Sequence, residues 1–286
     1  MCPDSASCPR PVHLGKPELD ATPPGELPVL LTCNTRPGAE RWQRPAFGAP
    51  TGVTIFRLHV TGSLAFVSQA AALLQAEEQR RAQRYHRAED YHRFVLGRAA
   101  QRLVLGAYLG LPPAGLHFEP GAAKKPRLRE APGLHYNVSH AGDWVLLAVA
   151  KAEVGIDIER LAPQFAFQEV LDYSFSPAEK AFIERSLVPT HAFYQLWTRK
   201  EAFVKATGRG IDAEFAQVPA LDGQHHVASP GQVPRWVVST FEAAAGYVAA
   251  VAYPAALPGP QQFYELGNDV LDELYTVAPS EPYVLR

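Results

Sequence analysis

Residues 134–160 hold three short runs that read as alternating strands, LHYNVSH, DWVLLAVA and EVGIDIER, joined by brief polar turns such as Ala141-Gly142-Asp143. A side-chain period of two marks strands, and turns this short predict an antiparallel meander. The third run is the most constraining. Its β-branched Val154, Ile156 and Ile158 favour extended backbone. In that backbone Asp157 and Glu159 leave one face of the sheet together, while Ile156 and Ile158 leave the other. Two carboxylates held so close repel unless water or a cation lies between them. The strand is therefore either a polar edge or one wall of a cation site.

The elements around this segment fill out a mixed fold. TGVTIFRLHV (51–60) reads as a strand, and the stretch after it as two helices with a break near Arg87 to Asp90. Phe94, Leu96, Ala99, Leu103 and Leu105 supply the apolar surface of the second helix. SPAEKAFIERS carries a helix start, with Ser176 as N-cap, Pro177 at the first helical position and Glu179 completing a capping box. HAFYQLWTRKEAFVKATG is the strongest helix and stops at Gly208 or Gly210. RWVVSTFE and GYVAAVAYP are strands. YHRFVLGRAAQRLVLGAYLGL and FYQLWTRKEAFVKATGRGI echo each other as long helices that end near glycine before sheet-forming sequence. The expected class is α+β with two similar α/β subdomains, at 51–150 and 151–260. A proline-rich N-terminal extension (1–50) precedes them and a C-terminal tail (261–286) follows. A ligand site belongs at the junction of such halves.

Composition removes several functions. With 286 residues, 47% of them hydrophobic, the chain can bury one sizeable core or two small ones. A formal net charge of -2 gives no reason to expect a nucleic-acid or membrane-surface partner. WVLLAVA is far too short to span a bilayer, and the first twenty residues lack the apolar run of a secretory signal. Cys2, Cys8 and Cys33 form neither a disulfide framework nor a metal spacing. A cytoplasmic monomer is the expectation. The first fifty residues hold ten of the 26 prolines and read as extended or poorly ordered chain, packing as an arm on the body.

Trp197, Glu201 and Lys205 recur every four residues and share a helix face, with Phe193 one turn earlier. Glu201 and Lys205 alone would make a surface ion pair worth roughly 0.3–0.5 kcal/mol. Beside buried aromatic rings they need partners or a ligand instead. Asp157, Glu159 and Glu201 together would be an all-oxygen site suited to Mg²⁺. Ser139, His140, Lys125, Lys200, Lys205, Arg81 and Arg84 add hydroxyl, imidazole and cationic groups of the kind a polyphosphate needs. The chain has no phosphate-binding Gly-rich loop with Lys-Ser/Thr, no dinucleotide fingerprint and no G-x-S-x-G elbow.

YNVSHAGDW (136–144), VGIDIE (154–159) and LWTRKEAFVKATGRG (196–210), in this order and separation, resemble the 4′-phosphopantetheinyl transferases of the larger, surfactin-synthetase-activating (Sfp) type. RRAQRYHRAEDYHRFVLGR and KKPRL agree in position. The motifs cover about residues 75–210, and the first fifty residues lie outside them. The resemblance implies a pseudo-twofold pair of α/β subdomains with coenzyme A and Mg²⁺ between them. It implies that Asp157, Glu159 and Glu201 are metal carboxylates and that Lys205 contacts the pyrophosphate. Lys125, Ser139, His140 and Arg81 would surround the 3′-phosphate and ribose. The activity it implies is transfer of 4′-phosphopantetheine from coenzyme A to a serine of an apo acyl or peptidyl carrier protein. A Mg²⁺-dependent phosphohydrolase of CoA-like nucleotides, or an inactive carrier-binding module, would share much of this site.

Overall fold

A computed structural model of the chain describes residues 29–48, 50, 52–121, 125–162, 164–208, 215–227 and 235–276. Cys2, Cys8, Gly210 and residues 277–286 lie outside the described residues. In chain order the elements are β1 (Val29–Ala39), β2 (Thr54–His59), α1 (Val67–Leu73), α2 (Ala76–Ala82), α3 (Ala88–Leu109), β3 (Phe118–Pro120) and β4 (Pro126–Leu128). Next come β5 (His135–Ala141), β6 (Trp144–Ala150), β7 (Gly155–Arg160), α4 (Gln168–Ser174), α5 (Pro177–Arg185) and α6 (Pro189–Thr207). The last are β8 (Gly223–Val227), β9 (Arg235–Ala244), β10 (Tyr247–Pro254), β11 (Gln262–Glu265) and α7 (Asn268–Thr276).

Two sheets carry the architecture, one in the order β11-β2-β6-β5 and the other β7-β10-β9-β1-β8. Alternation along the strands decides how they stack. Phe56, Leu147 and Val149 face α3, where they meet Leu96, Ala99 and Leu103. Their neighbours Ile55, Leu146 and Ala148 face the other sheet and meet Ile156, Ile158 and Val251. On the far side of that second sheet, Ala250 and Ala252 pack under Ala202 and Phe203 of α6. The order of layers is thus helix, sheet, sheet, helix, an α+β fold with two sheet-containing halves. Ile156 and Ile158 lie in the seam between sheets, leaving Asp157 on the α6 side.

Two sequence expectations change. β7 does not continue the meander, because β6 already has β2 on one edge and β5 on the other. It crosses over and pairs antiparallel with β10, from Gly155 opposite Ala252 to Arg160 opposite Tyr247. The segment 29–39, read as part of an extended arm, is a central strand. β1 runs parallel to β9 and antiparallel to β8, with Leu31 and Cys33 fully buried. Pro28 and Pro37 bracket a window without proline, and the inward alternation of Leu31 and Cys33 inside it is an ordinary strand signal. Cys33 is a core side chain whose thiol burial pushes up to about 12. β1 also braces α6, since Thr35 Oγ1 accepts from Arg199 Nη2 at 2.8 Å and from Gln195 Nε2 at 3.0 Å.

Local signals place the helices. Ser176 and Glu179 form the expected capping box of α5, and Gly208, at φ +75°, ends α6 in the left-handed region. The helical stretch before residue 110 is divided further than expected, into α1, α2 and α3. Gly155 has a different role. A Cβ there would overlap Ala202 O and Ala206 N, so α6 lies directly on the backbone of β7.

Two outcomes follow from this packing. Leu31→Ala should cost about 2–5 kcal/mol in urea unfolding, as for a core leucine, where a dispensable arm would give less than about 0.5 kcal/mol. Gly155→Ala should destabilise by roughly 1–3 kcal/mol through overpacking. A neutral result by the same assay would show that α6 can lift from β7 freely.

Candidate active site

Gly155 brings α6 onto β7 two residues before Asp157, so Glu201 and Lys205 descend beside that carboxylate. Asp157 is 3% exposed. Its Oδ1 accepts from Ser139 Oγ at 2.9 Å and from Lys205 Nζ at 2.5 Å. Lys205 Nζ also reaches Ser139 Oγ at 3.3 Å and lies 3.9 Å from Glu201 Oε2. Glu201 and Lys205 are therefore more than a solvated surface pair: the ammonium lies between two buried carboxylates. Asp157 Oδ2 and Glu201 Oε1 are buried without a hydrogen-bond partner. An acceptor left in that condition loses its hydration without compensation and calls for a donor or a cation.

Ser139, His140, Asp157, Glu159, Glu201 and Lys205 line one cleft of about 350 Å³ together with Trp197, which is half-buried. Phe193 is buried behind it, stacked on Trp197 with ring centroids 5.9 Å apart. Electrostatics in the cleft favour added positive charge. Burial pushes the Asp157 carboxyl up, against the pull of Lys205. Burial, then the Asp157 charge, push Glu159 up to about 7. Burial also raises Glu201. All three shifts have the same physical content: too little cationic charge serves these oxygens once they leave water.

A second cavity, of about 210 Å³, opens beside the first, with His140 and Val138 in both walls. Arg81, Arg93, Arg98, Gln101 and Tyr136 line it. Arg81 stacks over Phe94 at 5.1 Å, and Arg93 pairs with Asp90 and donates to Gly142 O at 2.9 Å. Glu78 anchors the α2 end of the cavity, accepting from Arg102 Nε at 3.0 Å and lying 3.2 Å from Arg98 Nε. Partial burial and the Arg93 charge hold the His140 pKa below its ordinary value. The two cavities together offer carboxylates at one end and guanidinium groups at the other.

Not every predicted residue lies here. Lys125 lines neither cavity: its Nζ donates to Glu153 at 2.5 Å, to Val154 O at 3.0 Å and to Ala206 O at 3.1 Å, tying β4 to the end of α6. Burial raises Glu153, but hydrogen bonds from His135 and Lys125 outweigh that and hold it at about 2. Lys200 is fully buried, 3.0 Å from Glu179, and donates to Ala216 O at 3.2 Å. It braces α5 and the 215–218 segment and is no part of the cleft. Arg84 is exposed and lines neither cavity. Three residues were missed. Arg93 and Arg98 sit among the apolar positions of α3, where nothing distinguishes a cavity-lining arginine from a solvated one. Gly155, a glycine opening a strand, did carry a signal for close backbone approach.

Among the described residues, no three His, Cys, Asp or Glu side chains converge as a preassembled metal centre. Asp157 Oδ2 and Glu201 Oε1 nevertheless form the donor set a hard cation takes when it keeps waters and shares a ligand's phosphates. Glu159 stands next to them on the same face of β7.

Comparison with known proteins gives a consistent answer over both halves. The 4′-phosphopantetheinyl transferase superfamily profile matches residues 153–252, and the profile of the N-terminal part of 4′-phosphopantetheinyl transferases matches residues 62–152. The chain is 35% identical over 170 residues to the 4′-phosphopantetheinyl transferase psf-1 of Bacillus pumilus, an alignment spanning 56% of this chain and 70% of the relative. It is 32% identical over 211 residues to the 4′-phosphopantetheinyl transferase HetI of a Nostoc species, spanning 70% of this chain and 86% of HetI. To the 4′-phosphopantetheinyl transferase Sfp of Bacillus subtilis it is 30% identical over 164 residues, spanning 56% and 72%. Two sheet-bearing halves, with a carboxylate–lysine cleft beside α6 and an arginine-lined cavity beside α3, accord with these matches, and the chain belongs to the Sfp-type 4′-phosphopantetheinyl transferase superfamily.

Proposed function

We propose that the chain transfers 4′-phosphopantetheine from coenzyme A to a serine hydroxyl of an apo acyl or peptidyl carrier protein, acting as a single chain in the cytoplasm. The observation that carries this reading is the pair of unpartnered buried oxygens, Asp157 Oδ2 and Glu201 Oε1, beside the Lys205 ammonium. Asp157 and Glu201 would hold Mg²⁺, with Glu159 adjacent. When bound, Mg²⁺ supplies charge that offsets the pyrophosphate and the carboxylates.

The chain's own groups account for the rest. His140, Arg81, Arg93 and Arg98 line the cavity suited to the 3′-phosphate end of coenzyme A. That placement leads the pyrophosphate towards Lys205. The serine oxygen forms a bond to the phosphorus that bears pantetheine, and the bond from that phosphorus to the bridging oxygen breaks. The bridging oxygen leaves on 3′,5′-ADP. Glu201 takes the serine proton. Lys205 faces the negative charge that grows on the departing oxygen. Asp157 holds Lys205 in place through its 2.5 Å contact. Lys125 enters this reading only if it leaves Glu153, so its part in binding coenzyme A is secondary to that of Arg81 and His140.

Intact-protein mass spectrometry of an apo carrier mixed with the chain, coenzyme A and Mg²⁺ tests the reaction. We expect a carrier heavier by one phosphopantetheine, no product with EDTA, and a rate about 10²–10⁴-fold lower for Glu201→Ala. Free phosphopantetheine released without a carrier would mean a hydrolase, and an unmodified carrier with intact coenzyme A would mean a binding module.

Steady-state kinetics should separate the two ends of the site. Lys205→Met should lower kcat by about 10²–10³-fold, as for a group that acts on transition-state charge. Arg81→Ala should raise KM for coenzyme A by about tenfold with little change in kcat, the loss of one charge-assisted contact. The reverse pattern would exchange the roles of the two cavities.

A further inference from the structure

We infer that Ser139 is a positioning residue for Asp157 and gives no hydrogen bond to the nucleotide's phosphate. The inference rests on the reading of Asp157 and Glu201 as cation carboxylates, and it concerns how one of them is aimed.

A serine hydroxyl has a single proton to donate. Ser139 Oγ gives that proton to Asp157 Oδ1 at 2.9 Å and receives Lys205 Nζ at 3.3 Å. The residue is 8% exposed. A phosphate needs donors, and this hydroxyl has none left for it. The alternation of β5 explains the arrangement. Ser139 stands opposite Leu146, on the side of the first sheet that meets the second, whereas His140 turns towards the arginine-lined cavity. Two residues before Ser139, on the same face, Asn137 Oδ1 accepts from Ile156 N at 2.8 Å. β5 and β7 form no ladder with each other but lie packed side by side, and these two side chains hydrogen-bond across that junction.

The consequence for Asp157 is a division of labour between its oxygens. Oδ1 is fixed by two donors from the chain, and Oδ2 has no partner. Without the Ser139 hydroxyl, Lys205 would be the remaining side-chain donor on this carboxylate. The group could then turn to share both oxygens with the ammonium, and Oδ2 would no longer be free for a cation. Ser139 thus works on the metal through Asp157. Neighbours in the NVSH motif have unlike tasks: Asn137 and Ser139 bond across to β7, and His140 faces the arginine-lined cavity.

Electron paramagnetic resonance titration of Mn²⁺ into the full chain with coenzyme A, paired with calorimetric titration of coenzyme A without divalent cation, tests this. For Ser139→Ala we expect Mn²⁺ affinity to fall about 10–100-fold, as when an outer partner of a metal ligand is removed. Metal-free affinity for coenzyme A should stay within about twofold, and Ser139→Thr, which keeps the hydroxyl, should restore Mn²⁺ binding. His140→Ala should show the opposite split. Unchanged Mn²⁺ affinity in Ser139→Ala, or a tenfold loss of metal-free coenzyme A affinity, would overturn the inference while leaving the proposed activity standing. A wild-type chain that binds no Mn²⁺ with coenzyme A present would remove the cation reading itself, and this inference with it.

Discussion

The contact on which the site depends is backbone against backbone: α6 rests on β7 where Gly155 has no side chain to hold it off. Any larger residue would raise the helix, and the helix carries Glu201 and Lys205. With the helix seated, Lys205 Nζ comes within 2.5 Å of Asp157 Oδ1, and Glu201 follows one turn away. The same seating is reinforced from below by β1, whose Thr35 holds Arg199, and from the side by the buried Lys200–Glu179 pair. Those two cations next to Glu201 in sequence belong to the scaffold. Consecutive residues of one helix thus divide between structure and chemistry according to the face they leave from.

Seating the helix creates an electrostatic debt. Three carboxylates, Asp157, Glu159 and Glu201, meet one ammonium, and burial raises all three above their ordinary values. Desolvation of paired charges is compensated only when every oxygen finds a partner, and here two do not. Such a site is stable with a cation or protons and poorly stable without either. The adjoining cavity has the opposite imbalance, with Arg81, Arg93 and Arg98 facing one opening. An elongated ligand with phosphate at one end and a cation at the other would relieve both, and that complementarity is the physical content of the proposed coenzyme A and Mg²⁺ site.

Much of this was legible in the sequence because it is local. The alternation in VGIDIE placed Ile156 and Ile158 against apolar matter and Asp157 opposite them. The spacing of Trp197, Glu201 and Lys205 put them on one helix face, and Ser176 to Glu179 announced a capped helix. What could not be read depends on tertiary partners. β7 leaves its meander because β2 occupies the edge of β6, a fact about a strand far upstream in the sequence. β1 enters a sheet whose other members lie more than a hundred residues away, and proline content on either side masked its short alternating window. Lys200 joins the expected site on charge and Lys125 on charge and the position of KKPRL, yet each is consumed by carbonyls and a glutamate. Charge in a sequence gives no direction, and burial decides which cations remain free.

A crystal structure of the chain with coenzyme A and Mn²⁺, with the metal located by its anomalous scattering, tests the central claim most directly. The account predicts one anomalous peak within coordination distance of Asp157 Oδ2, Glu201 Oε1 and the pyrophosphate, with the 3′-phosphate among Arg81, Arg93, Arg98 and His140. Coenzyme A bound without a peak at those carboxylates, or with its 3′-phosphate outside the arginine-lined cavity, would contradict it.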